Sequence, residues 1–434
     1  MRLLSRLFTL AAAATLISAV ASGQTVQSLS LQQAEQVAIQ NHPRIQAATA
    51  IASAAEAQVG EVRAAYYPNA NGSLTGAEAL DSNRIGAGVL NSPLVFDKYA
   101  NGFSISQLVT DFGRTHQFVK SSELHARAQQ ESVVTSRADV LLQVDQSYFE
   151  VLRAQALLRV AQQTVGERQL VSNQVTQMAA NQLKSQLDVS FANVDFAQAQ
   201  LLLIRAQNDL QASYADLTRA LGFADQRTYN LTEQGQPPLP PADLTTLIQQ
   251  AMMNRPELIG QQFEVNAAQS FVTAERDLWF PTISVVGAAG LIPFHAAINT
   301  TGLNDHYAAA GFNVNIPIFN GHSFGALRNE ARARALAQQQ NLRDLQDRIV
   351  RDVNKAWLDA NSAYQRLSVV QQLADQATLA LNLAQARYQL GLSSIVELTQ
   401  SQLNLTQAQI EQVNATYDYE TQLSVLNYSI GNLR

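Results

Sequence analysis

The chain of 434 residues has no cysteine, only 15% charged residues and 7% aromatics. Beyond its N-terminal segment it has no apolar run long enough to span a bilayer as a helix. Without cysteine there is no disulfide, no thiolate metal site and no lipid-modified N-terminal cysteine, so a folded form must be held by packing or oligomerisation. The formal net charge is -6, and the basic stripes that a nucleic-acid partner requires are missing. Catalytic patterns are missing too. The histidines His42, His116, His125, His295, His306 and His322 include no His-Glu-X-X-His helix and no i, i+4 pair, so no metal site is expected. Gly86-Ala87-Gly88 lacks a third glycine, and no Gly-X-Ser-X-Gly elbow or phosphate loop occurs. Carboxylates such as Asp139, Asp145 and Glu150 read as solvated charges on a helix face. Neither an enzyme nor a cofactor is expected.

What is present begins with an export signal. Arg2 and Arg6 precede the apolar run from Leu7 to Val20, which meets the small-residue tripeptide Ala19-Val20-Ala21. The run is too short for a transmembrane anchor and predicts cleavage after Ala21. Any membrane insertion by the rest must therefore use strands. Ala, Gln, Leu, Val and Ser make up the bulk, a mixture suited to long helices whose exposed faces carry amides.

An internal duplication fixes the architecture. A shift of about 213 positions lays Leu31, Ala38, Asn41, Pro43 and Pro68 on Leu244, Ala251, Asn254, Pro256 and Pro281. A shift of about 209 lays Val144, Tyr148, Gln162, Leu183, Asp188, Leu217 and Gly222 on Val353, Trp357, Gln371, Leu392, Glu397, Leu426 and Gly431. The organisation expected is a signal, 1–21, a first repeat, 22–222, a Pro-rich linker, 223–243, and a second repeat, 244–434.

Each copy reads as a short helix, a second helix, two strands, a very long helix, a tip and a returning long helix. Phe312, Val314, Ile316 and Ile318 alternate with Asn313, Asn315 and Pro317, the period of a strand. Ile283, Val285, Gly287 and Ala289 form a similar face, as do Phe103, Ile105 and Val109, and more weakly Ala70, Gly72, Leu74 and Gly76. Such alternation fits a lipid-facing barrel and equally a half-buried soluble sheet; the export signal favours the barrel. Four strands cannot close a barrel, for which about eight is the minimum, so other chains must meet the open edges. The segments around 81–100 and 291–306 read as strand-connecting loops. Tyr66-Tyr67 and Trp279-Phe280, each before a proline, stand where helix becomes strand, as an interface girdle or as core pairs at a helix end.

Apolar residues in the helices recur at sevens, the coiled-coil period. Val144, Val151, Leu158 and Val165 form one line, Val353, Ala360, Leu367, Ala374, Leu381 and Tyr388 a second, and Val396, Leu403, Ile410 and Tyr417 a third. Segments of about 65 residues would make helices roughly 100 Å long.

Signal, duplicated unit, Asn41-His42-Pro43 and Asn254-Arg255-Pro256 after a short helix, paired strands, and the tip running from Arg387 through Gly391 to Glu397 occur in an order that resembles the TolC family. The resemblance covers essentially the whole mature chain. It implies a mainly α protein with a small β part: a homotrimer in the Gram-negative outer membrane, twelve strands closing a barrel over a tunnel of antiparallel helices. It also implies a passive exit duct, driven through a periplasmic adaptor by an inner-membrane transporter of the RND, ABC or MFS class, in efflux or type I secretion. By resemblance, Val396 and Gln400 line the periplasmic aperture. The family commonly has an aspartate where Gln400 stands, so Glu397 and Asp188 are the candidates for charge there. The plainer alternatives are a surface pair of Asp188 with Lys184 and seam packing for Val396. The adaptor-docking tips map to Gly391, Leu392 and Ser393; the first copy has Gln182, Leu183 and Lys184, keeping the leucine but lacking the glycine of the turn, which implies asymmetric docking. The reading from a different class is a periplasmic coiled-coil scaffold that conducts nothing.

Overall fold

The computed structural model describes residues 28–77, 85–87, 90–92, 98–225, 227–233, 235, 238–295 and 306–433, and the expected export signal lies outside them. β1 (Ser28–Leu29) leads into α1 (Leu31–Asn41) and α2 (Pro43–Arg63). A 3-10 turn, Ala64–Tyr66, precedes β2 (Asn69–Ala77), the short β3 (Ile85–Ala87) and β4 (Leu90–Ser92), and β5 (Lys98–Thr110). α3 (Arg114–Ala180) and α4 (Gln186–Ala220) follow, and then β6 (Asn230–Leu231), which pairs in parallel with β1. The second copy runs α5 (Leu244–Asn254), α6 (Pro256–Arg276), a 3-10 turn Asp277–Trp279, β7 (Thr282–His295), β8 (His306–Asn315), α7 (Ser323–Gln389) and α8 (Ile395–Ser429). Each helix of the first copy has a counterpart of equal length in the second, of 11, 21, 67 and 35 residues. The duplication read from the sequence is a duplication of structure.

The repeated Asn-X-Pro motif makes the break between the two short helices. A residue before proline is driven out of the helical region, and His42 and Arg255 are both extended, with Pro43 and Pro256 opening the next helix. The repeated glycine at the far end of each copy meets this same break. Gly222 and Gly431 have positive φ, and a Cβ on either would lie 2.9 Å from the backbone of Asn41-His42 or Asn254-Arg255. Two distant sequence motifs are therefore the two sides of one contact.

α3 and α7, at 67 residues each, extend roughly 100 Å. The short helices pack against their middles: Ala34 and Ala38 of α1 join Val140, Val144, Tyr148 and Leu152 of α3 and Leu217 of α4, and α5 does the same with Ile349, Val353, Ala356 and Leu426. Nearer the sheet α3 lies between α2 and α6, with Arg63 on Glu123 and Ser121 donating to the Ala267 carbonyl. Nearer the tips it lies between α4 and α8, with Ser172 on Asn193 and Arg168 on Thr406. α7 packs on α6 and then on α8. The first two heptad lines begin in the buried core at Val144, Val151, Val353 and Ala360. The third is corrected in its first half: Val396 and Leu403 are each 53% exposed, whereas Ile410 and Tyr417 are half-buried, Tyr417 against the core, and the fully buried line on α8 is Leu398, Leu405, Tyr419 and Leu426. α8 has neighbours on two sides, so it carries two apolar stripes of the same period. Asp145 is corrected too, being 2% exposed and buried in the α1–α3–α8 packing.

The four long strands form one antiparallel sheet in the order β2-β5-β7-β8, leaving β2 and β8 as edges. Among the described residues no helix is long and apolar enough to cross a membrane. Three strand expectations change. β8 stops at Asn315, because Pro317 has no N–H to continue the ladder, and Ile316 and Ile318 lie beyond it. Val109 falls in a register shift between Leu108 and Thr110. β5 begins at Lys98 and β7 continues to His295, with β3 and β4 between β2 and β5, so the expected loops are partly strand; the rest of both lies outside the described residues.

Candidate functional site: the sheet and the helical tips

Cross-strand partners share a face, so the register decides what each side of the sheet presents. Ala70, Gly72 and Leu74 of β2 stand opposite Ile105, Phe103 and Asn101 of β5. Ile105 and Phe103 meet Gly287 and Ala289 of β7, which continue to Ala310 and Ala308 of β8; Val285 faces Phe312 and Ile283 faces Val314. Four weak alternations thus merge into one predominantly apolar face, interrupted by Asn101 and Gln107 of β5. The other face carries Asn69, Asn71 and Ser73, then Ser104 and Ser106, then Ser284 with the apolar Val286 and Ala288, then Asn313 and Asn315. On it the Tyr307 ring lies across Gly290 and Gly102, where a side chain at either glycine would collide with the hydroxyl.

Tyr66-Tyr67 and Trp279-Phe280 sit where both copies leave the helix. The 3-10 turns end on Tyr67 and Phe280, both extended, immediately before Pro68 and Pro281. All four aromatics are exposed, which overturns the core-pair alternative within the protomer. The sequence reading missed Phe112 and Phe319, which lie at the same end of the helices: Phe112 is 5.9 Å from Phe280, and Phe319 is exposed beside the start of α7. The signal was available in Asp111-Phe112-Gly113 and Phe319-Asn320-Gly321. Both turns place two successive residues at positive φ, Phe112 and Gly113 in one copy and Gly321 and His322 in the other.

At the opposite end both hairpins close with the same turn. Leu183 N–H donates to the Met178 carbonyl at 2.9 Å, and Leu392 N–H to the Arg387 carbonyl at 2.8 Å. Gln182 takes the left-handed conformation at φ 59°, where the second copy has Gly391 at φ 73°. The first copy lacks the glycine, as the sequence shows, and yet keeps the turn. Leu183 and Leu392 are both exposed at the tips.

Asp188 and Glu397 occupy the same helical position but are held differently. Asp188 Oδ2 accepts from Ser185 N–H at 3.0 Å and from Ser185 Oγ at 2.9 Å, completing a capping box. Glu397 instead pairs with Arg387 Nε at 3.2 Å, while its N–H bonds to Ser394 Oγ. Lys184 does not serve as the partner of Asp188; its ammonium lies 3.9 Å from the ring centre of Tyr388, joining one hairpin to the other. Burial raises the Tyr388 hydroxyl above its ordinary pKa, and the charge of Asp188 adds to the rise. Val396 and Gln400 share an exposed face one turn apart, and Gln400 Nε2 donates to Asn404 at 2.9 Å. Gly391 is exposed and Ser393 half-buried beside them. Among the described residues no cluster of His, Cys, Asp or Glu is placed to hold a metal ion.

An open-edged sheet with one predominantly apolar face, continued into helical hairpins that reach far beyond it, is the architecture of an outer-membrane channel protein. The model of the outer membrane efflux protein family matches residues 34–223 and 247–432, one stretch per repeat, and the chain belongs to that family. The outer membrane protein TolC of Vibrio cholerae is 25% identical over 453 residues, covering 100% of this chain and 96% of that protein. The outer membrane efflux protein BepC of Brucella suis is 25% identical over 422 residues, covering 94% and 87%. A solved membrane protein of Pseudomonas aeruginosa shares the fold with a TM-score of 0.80 at 21% identity, over 92% of this chain and 93% of that one. The CmeC outer membrane channel of Campylobacter jejuni does so with a TM-score of 0.80 at 16% identity, over 92% and 85%.

Proposed function

We propose that three copies of the mature chain, beginning after Ala21, close around one axis into an exit duct through the outer membrane. The observation that carries this is that the protomer ends in matching edges at every level. In the sheet the edges are β2 and β8; beside it α2 and α7 flank α3 and α6; towards the tips α4 and α7 flank α3 and α8. Joining β2 of one copy to β8 of the next satisfies ladder groups that lipid cannot. It gives twelve strands from four per chain, above the roughly eight that closure needs. Exposed lines at sevens, Leu187, Val194 and Leu201 on α4 and Val369, Leu383 and Leu390 on α7, then become the helical seam between copies.

The apolar sheet face meets acyl chains and the Asn- and Ser-bearing face lines water. Tyr66, Tyr67, Trp279 and Phe280 sit at the membrane interface, where an amphipathic ring is most at home. At the far end Val396 and Gln400 line the aperture, flanked by Glu397 and Asp188. A ring of three amides at Gln400 does not favour cations as three carboxylates would. Leu183, Gly391, Leu392 and Ser393 receive the helical hairpin of a periplasmic adaptor, and an inner-membrane transporter of the RND, ABC or MFS class supplies the energy. The duct itself is passive and conducts; it makes and breaks no bond in its cargo.

Membrane fractionation tests the reading. The protein should stay in the outer-membrane fraction through a carbonate wash and leave detergent extraction as a trimer. Release by carbonate as a monomer would point to the non-conducting scaffold instead. Cysteines at Leu183 and Leu392 should each cross-link to the adaptor, and failure at both would remove the tips as its dock.

A further inference from the structure

One side chain on the Asn- and Ser-bearing face of the sheet does not stand as its neighbours do. Among the described residues Tyr307 is the only aromatic on that face, and the row that crosses the sheet at its level reads Ser73, Gly102, Gly290, Tyr307. A strand side chain ordinarily rises roughly perpendicular to its sheet. The Tyr307 ring instead lies flat, crossing β7 over Gly290 and reaching β5 at Gly102. Both positions lack the one atom that would forbid this: a Cβ at Gly290 would be 2.7 Å from the hydroxyl, and a Cβ at Gly102 would collide with it. The slot is not equally strict on its two sides. At Gly290 a Cβ would also strike the backbone of Asn101 and Gly102, whereas at Gly102 only the free end of the Tyr307 side chain stands in the way, the nearest backbone atom being the Ala289 carbonyl oxygen at 3.5 Å. The ring is 42% exposed, and no hydrogen bond among the described residues holds its hydroxyl. Fit against two glycines is therefore what keeps it flat, and other staggered positions about χ1 lift it out of the slot.

We propose that Tyr307 sets the bore of the barrel and with it the size of cargo that passes, a role that rests on the duct reading, in which this face lines water and three copies put three such rings at one level. Stowed in the slot of Gly102 and Gly290, the rings leave the passage at the width of the strands. Raised to the ordinary perpendicular orientation, they meet it from three sides and narrow it there, so that bulky solutes are held back while small ones pass. An exposed side chain changes rotamer in picoseconds to nanoseconds, so the fit of the slot, not a barrier, decides which position is populated. A ring that merely covers two strand glycines would stabilise the sheet, and the passage would not respond to its displacement.

The chain has no cysteine, so Asn313→Cys supplies a single thiol on the same face, six residues along β8 from Tyr307 and roughly 20 Å nearer the helices. Intact cells are treated from outside with two impermeant thiol reagents, one small and one linked to a bulky polymer. The Asn313→Cys parent is compared with chains that also carry Gly102→Ala, Tyr307→Ala or both. The small reagent should label all four alike. The bulky one should label the Tyr307→Ala chain as fast as the parent, since the ring is already out of the way, and the Gly102→Ala chain about fivefold or more slower. Combining Tyr307→Ala with Gly102→Ala should restore the parent rate. Faster bulky labelling with Tyr307→Ala alone, no slowing with Gly102→Ala, or slowing that Tyr307→Ala does not relieve overturns the proposal and leaves the duct standing. Should Gly102→Ala fail to assemble, Tyr307→Ala alone still decides whether the ring is stowed. No labelling of any chain by the small reagent would mean that this face lines no passage open to the outside, and would sink the duct reading as well.

Discussion

The two repeats are alike where the chain turns in the middle of the molecule and unlike at the tips and in their buried polar residues. At the middle, Gly222 and Gly431 make the same close approach to Asn41-His42 and Asn254-Arg255. Tyr148 and Trp357, at equivalent positions, both tie the linker to a long helix: the Tyr148 hydroxyl lies within hydrogen-bond distance of the Thr232 carbonyl, and of the Leu29 carbonyl of β1, and the Trp357 indole N–H donates to the Pro241 carbonyl. Asp145 is buried where the second copy has Asn354, and the tip glycine of one copy is a glutamine in the other. Backbone contacts that shape the wall were kept in duplicate. Side chains that do not shape it were left to diverge.

The largest effect should come from breaking what is shared. Gly222→Ala and Gly431→Ala each add a Cβ to a left-handed residue pressed on backbone, and each should cost roughly 2–4 kcal/mol in thermal or denaturant unfolding. Asp145→Asn, which makes the first copy like the second, comes next. Burial pushes the Asp145 carboxyl up to about 7, opposed by a hydrogen bond to Ser424 and reinforced by Glu35. A carboxyl raised above its ordinary 3.8 gives stability that is whole below that pH and is lost as pH rises through about 7. The wild type should therefore lose stability between about pH 4 and pH 8 at this site, and the variant should melt higher at pH 8 with little change at pH 4. Equal melting shifts at both pH values would contradict the assignment.

Smaller effects sharpen the comparison. Tyr148→Phe removes a buried hydroxyl while the Leu29 carbonyl keeps its bond from Thr232 N–H, and should cost about 1 kcal/mol, against about 0.5 kcal/mol for Trp357→Phe, whose bond is exposed. At the tips, Gln182→Gly should stabilise by about 0.5–1 kcal/mol and Gly391→Ala destabilise by about 1 kcal/mol, since both positions are left-handed. Equal and opposite signs there would show that the turns are one device in two sequences.

Period and punctuation made the helices legible: prolines 43 and 256 marked the breaks, and the heptads through Val144 and Val353 marked the buried seams. The α8 seam was misread because Val396–Leu403 and Leu398–Leu405 share one period, and only tertiary contacts say which faces inwards. Strands were found by alternation, but register is a pairing property, so the union of four weak faces into one apolar surface was not visible in any single strand. Gln182 hid a turn that sequence rules assign to glycine, because the neighbouring hydrogen bonds hold the strained conformer in place.

Conductance through a planar lipid bilayer tests the central claim most directly. Purified mature protein should insert as trimers and give uniform single-channel steps, since the open edges of β2 and β8 close only around a water-filled pore. Protein that remains monomeric in solution and leaves the bilayer electrically silent would contradict the account.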